Sequence, residues 1–118
     1  MKDISPQLQN QITQFQQVQQ QLQSVSAQKF QMDAQMKEMD RTLEELASTP
    51  EESDVYRSVG SLLIKVQDKT KVKNDLEESK ETLEIRVKAL ERQEKTLREK
   101  FQSLQESINK ALGSGQGN

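Results

Sequence analysis

Val55-Tyr-Arg-Ser-Val59-Gly60-Ser61-Leu62-Leu-Ile-Lys-Val66 stands in the middle of a 118-residue chain and decides how the rest is read. Two runs rich in aliphatic and β-branched residues flank a Gly-Ser pair, which suits two strands joined by a two-residue type II′ turn. With that turn Val59 faces Leu62, Arg57 faces Ile64 and Val55 faces Val66, so five of these six side chains on one sheet face are aliphatic. A lone two-stranded hairpin is marginal in water, and its edges carry unpaired backbone groups. No further strand is legible in the chain. The hairpin therefore either folds back on its own chain or joins strands of other chains. Assembly into an intermolecular sheet or barrel is the expectation, carried by Val55, Tyr56, Val59, Gly60, Leu62, Ile64 and Val66.

On the N-terminal side the apolar residues step by alternating threes and fours. One set runs Leu8, Phe15, Leu22, Lys29, Met36, Leu43, and the other Gln11, Val18, Val25, Met32, Met39, Leu46. Ten of these twelve positions are apolar, and a period of 3.5 held for six heptads is a coiled-coil pattern. Ser5 before Pro6 reads as an N-cap followed by the first helical residue. On the other side Asp68 reads as a second N-cap. It opens an arm with Lys73, Lys80, Val87, Glu94, Phe101, Ile108 in one set and Leu76, Leu83, Leu90, Leu97, Leu104, Ala111 in the other. At 1.5 Å per residue each arm reaches roughly 60–65 Å, and matched arms around a central connector imply one antiparallel pair of helices. The charged seam residues Lys29, Lys73, Lys80 and Glu94 are expected to set register or to reach water at the seam edge.

The expected organisation is a helix over 5–47, a turn and hairpin over 48–67, a helix over 68–112 and a flexible tail over 113–118. Within the connector, Thr49, Pro50 and Glu52 fit a capping box on one short helical turn. The fold class is mainly α: a long antiparallel two-helix coiled coil with a central β-hairpin.

Composition narrows the function. Only 31% of residues are hydrophobic and 31% are charged, against about 45–50% apolar for a compact domain on a count that includes glycine. A globular core is excluded, and the heptads exclude a disordered chain. The net charge of −2, with both signs interspersed, carries no nucleic-acid footprint. No apolar run approaches the roughly 18–20 residues of a membrane span, and the N-terminus lacks a secretory pattern. A cytoplasmic protein is the expectation. There is no His, no Cys and no Gly-rich phosphate loop. Acidic pairs such as Glu44-Glu45 and Glu77-Glu78 fall on solvated helix faces with no pocket to shield them. No enzyme, catalytic residue, metal site or cofactor is expected.

The ends of the arms differ from the middle. Not one charged residue lies between Ser5 and Gln28, and most of the 18 glutamines precede Met36. Ile4, Ile12 and Leu112 add apolar surface to the seam ends Leu8, Phe15, Phe101, Leu104 and Ile108, more than two helices bury against each other.

The Pro-Glu-Glu-Ser-Asp54 approach, the strand–Gly–strand segment with its Tyr56-Arg57 start, and a second helix containing Leu83-Glu84 and Glu91-Arg92-Gln93-Glu94 resemble the prefoldin β subunits, of the compact archaeal type with a single hairpin. The resemblance covers nearly the whole chain as one prefoldin-like domain, 1–118. It implies an ATP-independent holdase that captures unfolded clients at coiled-coil tips and passes them to a group II chaperonin. It further implies a hexamer of two α-type and four β subunits, joined through a β-barrel of hairpins. The eight apolar end residues, Ile4, Leu8, Ile12, Phe15, Phe101, Leu104, Ile108 and Leu112, are the client-binding candidates under this resemblance. The competing reading is a structural tether or adaptor binding defined partner helices, for which the hairpin has no use.

Overall fold

The computed structural model describes residues 4–116, with side-chain surroundings to Gly113. Its elements are α1 (Pro6–Ser48), β1 (Tyr56–Val59), β2 (Leu62–Lys65) and α2 (Lys69–Gln116). Among the described residues no helix is long and apolar enough to cross a membrane.

Both helices start on side-chain caps. The Leu8 amide donates to Ser5 Oγ at 3.1 Å, and the Gln9 amide to the Ser5 carbonyl at 2.9 Å. The Lys71 amide donates to Asp68 Oδ1 at 3.2 Å. Each cap satisfies one of the amides that a helix N-terminus leaves free, and Pro6 has none to satisfy.

The far ends depart from the sequence expectation. Thr49 does not cap a new turn. Its hydroxyl donates to the Glu45 carbonyl at 2.7 Å, beside Ser48 Oγ on the same carbonyl at 3.1 Å. The hydroxyls close α1, and the capping box expected at Thr49, Pro50 and Glu52 is replaced by a simple turn with Ser53 N on the Pro50 carbonyl at 3.0 Å. α2 does not stop at Leu112 either; it runs through Gly113 to Gln116. Gly113 lacks the positive φ that a glycine cap adopts, which among described glycines only Gly60 shows. A glycine inside a helix costs about 1 kcal/mol, which does not break a ladder already 44 residues long. Of the expected tail, residues 117–118 lie outside the described part.

The chain divides into two compact units, residues 1–30 with 88–118 and residues 31–87. In the first, the terminal unit, Val18 and Val25 are the buried core at 2% and 4% exposure. Phe15 stacks on Phe101 with ring centroids 4.5 Å apart. In the second, the hairpin unit, Val66, Leu83 and Val87 are buried. All twelve α1 seam positions named above are at least half-buried, Lys29 and Gln11 included. On α2 ten of twelve are; Lys73 and Ala111 are exposed. Val72, one residue earlier, takes the inward place expected of Lys73, because the apolar side chain gains by burial what the ammonium loses.

Three of the four charged seam residues, Lys29, Lys80 and Glu94, are paired. In the terminal unit Glu94, whose side chain is 13% exposed, lies 3.4 Å from Lys29 Nζ and 3.5 Å from Arg98. Ser26 Oγ donates to it at 2.9 Å. In the hairpin unit Lys80 pairs with Asp40 and reaches Glu84 at 3.9 Å. The Ser26 hydroxyl, then the Lys29 and Arg98 charges, hold the Glu94 carboxyl below its usual range against partial desolvation. A depressed carboxylate contributes stability that is present above its unfolded pKa and lost as pH falls through the folded value. Thermal unfolding of the chain should therefore lose stability on acidification below the ordinary carboxylate range. Glu94→Gln should flatten that part of the profile while lowering the midpoint at neutral pH. Equal acid slopes in the two proteins would assign the loss to other carboxylates.

Candidate functional site

β1 and β2 form a two-stranded antiparallel ribbon with Arg57 opposite Ile64, Ser58 opposite Leu63 and Val59 opposite Leu62. Gly60 has φ +60°, the positive value that the first residue of a primed hairpin turn requires. No atom stands within 4 Å of where a Gly60 Cβ would project, so conformation and not space selects glycine here.

The neck of the ribbon is anchored. The Val66 amide donates to the Val55 carbonyl at 2.8 Å, one pair beyond the strands. Lys65 meets Asp54 at 3.3 Å. The Lys69 ammonium donates to the carbonyls of Glu51, at 2.8 Å, and Ser53. That ammonium satisfies two loop acceptors which no strand or helix reaches. A groove of about 520 Å³ opens where the ribbon meets the helices of the same unit, lined among others by Leu46, Val55, Tyr56, Val66, Val72 and Leu76.

Above the neck the ribbon is uncovered. All eight strand residues are exposed, among them Tyr56 (55%), Val59, Leu62 (63%) and Ile64. Of the seven hairpin residues expected to carry assembly, only Val55 and Val66 are covered by the chain itself. Leu63, which the sequence reading does not include, is 73% exposed. It lies with Tyr56, Ser58 and Lys65 on the opposite face, so apolar side chains stand on both faces; three consecutive aliphatics from Leu62 to Ile64 carry that information, and an alternating pattern hides it.

The eight end residues separate into two groups. Ile4 and Leu112 are exposed, at 39% and 44%. Leu8, Ile12, Phe15, Phe101, Leu104 and Ile108 are half-buried. Ile12, off the seam by one position, shares a cleft with Phe15 and Ile108. These six thus offer only their outer edges. Among the described residues no buried side-chain nitrogen or oxygen lacks a hydrogen-bond partner, so neither unit holds a stranded polar group awaiting a ligand.

Residues 9–115 match the family model for the prefoldin subunit. The chain belongs to the prefoldin family. It is 54% identical over 114 residues to the prefoldin subunit beta of Methanococcus maripaludis, covering 97% of this chain and 99% of that one. It is 46% identical over 111 residues to the prefoldin subunit beta of Methanosarcina mazei, covering 94% of both. The crystal structure of the prefoldin beta subunit from Thermococcus strain KS-1 superposes with a TM-score of 0.82 at 43% identity, over 95% of this chain and 97% of that one. Prefoldins are a chaperone family and not an enzyme family, and this prefoldin-family chain is a chaperone subunit of the β kind. As a subunit it takes part in a hetero-oligomer with other prefoldin subunits. The tether reading is not favoured.

Proposed function

We propose that the chain acts in the cytoplasm as an ATP-independent holdase subunit, in a hexamer of two α-type and four β subunits that transfers unfolded clients to a group II chaperonin. The uncovered ribbon carries this reading. A strand pair whose eight residues are all exposed, with Val59, Leu62, Leu63 and Ile64 apolar, gains stability only when other strands cover it. Joined edge to edge in a barrel, the ribbons bury both their backbone edges and one apolar face.

Client capture is assigned to the end of the terminal unit, where Ile4 and Leu112 are uncovered. Leu8, Ile12, Phe15, Phe101, Leu104 and Ile108 contribute their half-exposed edges. Each apolar side chain fully covered by a client is worth about 1.5–3 kcal/mol, and several subunits acting on one client add avidity while each contact stays reversible. The complex reconstituted with its partner α-type subunit is expected to suppress aggregation of an unrelated denatured protein without nucleotide, and ATP should change nothing. An assembled complex that leaves light scattering of the client unaltered contradicts the reading.

A further inference from the structure

On α1 the apolar side chains larger than alanine keep to the seam or, like Ile12, lie half-buried beside it; Phe30 does not. Phe30 is 76% exposed, the highest value among the exposed large hydrophobic residues described. Among the described residues nothing covers it, and at a solvated helix position phenylalanine is a poorer helix former than the glutamines around it. Gln23, Gln16 and Gln9 precede it at successive intervals of seven, and all three are exposed. That interval places the four residues on one outward face of the terminal unit's α1 segment. The face spans about 32 Å at 1.5 Å per residue, a length that about ten residues of extended polypeptide cover.

The chemistry of this strip is specific in one respect only. A glutamine amide offers two donors and an acceptor without charge, the same kinds of group that a peptide bond seeks. Three of them in line hydrogen-bond a backbone without reading its side chains. Phe30 supplies a broad apolar surface at one end. α1 carries no charge between Ser5 and Gln28, and the cations nearest the strip, Lys29 beside Phe30 and Arg98 in the cleft with Gln23, both pair with Glu94, so a nucleic acid or a highly charged peptide gains little Coulombic attraction from this face. A folded partner helix docks through apolar residues at i, i+3, i+4 and i+7, and the strip has one apolar residue. We infer that Gln9, Gln16, Gln23 and Phe30 form a lateral track for an extended segment of non-native polypeptide, with Phe30 as its apolar anchor. This rests on the client-capture reading above and adds to it a flank site distinct from Ile4 and Leu112.

The test uses the complete reconstituted assembly with a photo-crosslinking phenylalanine analogue at position 30 or, in parallel, at position 112, and a chemically denatured single-domain protein as client. Ultraviolet light is expected to join position 30 to the denatured client and not to the same protein in its native state. Phe30→Ser should weaken client binding about 3–10-fold, the loss of one partly covered ring, with assembly size and helix content unchanged. Crosslinks from position 30 to a neighbouring subunit would make the ring an assembly contact and overturn the inference. So would client crosslinks at 112 with none at 30, which leaves terminal capture standing. Client crosslinks at 30 with none at 112 support the track and remove terminal capture. Silence at both positions removes both.

Discussion

Val59→Asp with Ile64→Asp is expected to dissociate the prefoldin assembly while leaving the helices of each subunit intact. Both side chains lie on the ribbon face that also carries Leu62, and in the single chain they are 47% and 46% exposed. About half of each side chain is therefore left uncovered by its own subunit, and neither belongs to the buried core. The helix caps at Ser5 and Asp68 and the buried residues Val18, Val25, Leu83 and Val87 are remote in sequence from the substitutions. Two aliphatic side chains buried at an interface contribute about 4 kcal/mol together, roughly a thousandfold in a dissociation constant. Two carboxylates in their place add a desolvation penalty, and Arg57, opposite Ile64, faces only one of them. Far-ultraviolet circular dichroism should show unchanged helix content, and native mass or light scattering should show free subunits. A double variant that still runs at the full assembly size places the platform elsewhere on the chain. Leu63→Asp is informative beside it. It lies on the opposite face from Val59 and Ile64, so the relative loss in the two variants identifies which face the assembled strands bury.

The features that were legible in the sequence are those governed by short-range or strictly periodic rules. Cap residues act on amides three positions away, so Ser5 and Asp68 fix the helix starts on their own. The 3.5-residue period places twelve α1 positions inward, and even Lys29 and Gln11 follow it because a helix cannot rotate one residue out of its seam. A Gly-Ser pair between aliphatic runs fixes the ribbon register. What was not legible depends on competition between partners. Thr49 could cap the turn ahead or close the helix behind, and the Glu45 carbonyl won it. Val72 displaced Lys73 inward through a local shift in phase where α2 leaves the connector. Gly113 carries a stop signal in composition alone, while the ladder it would interrupt was already formed. The candidate client residues show the same limit. Counting apolar side chains overstated the uncovered area, because Phe15 and Phe101 spend their faces on each other. Phe30, 76% exposed, sits off the seam and away from the ends of the arms, where neither the heptad period nor the apolar ends point to it.

Shortening both arms is expected to separate capture from assembly. A chain that begins at Gln14 and ends at Phe101 retains Phe15 stacked on Phe101 as its last seam layer, and keeps the Ser26–Lys29–Glu94 cluster behind it. It loses Ile4, Leu8, Ile12, Leu104, Ile108 and Leu112, six of the eight proposed client residues. The ribbon, its Gly60 turn and the Lys69 clamp on the connector are untouched. The truncated subunit should therefore enter the full-size complex and keep a cooperative thermal transition, lowered by the lost turns. Holdase activity should fall by an order of magnitude or more, since removing even two covered apolar side chains per arm pair costs about 3–6 kcal/mol of client contact before avidity is counted. Ile4, Leu8, Ile12 and Ile108 changed together to Ser should give a smaller loss, because Phe15, Phe101, Leu104 and Leu112 remain. The activity left after truncation has its own meaning. With Gln16, Gln23 and Phe30 still in place, residual capture that disappears on adding Phe30→Ser belongs to the flank of α1. Residual capture indifferent to that substitution belongs to the groove beside Tyr56 and Val72 or to the assembled platform. Full suppression of aggregation by the truncated complex would remove the arm ends from the client site altogether.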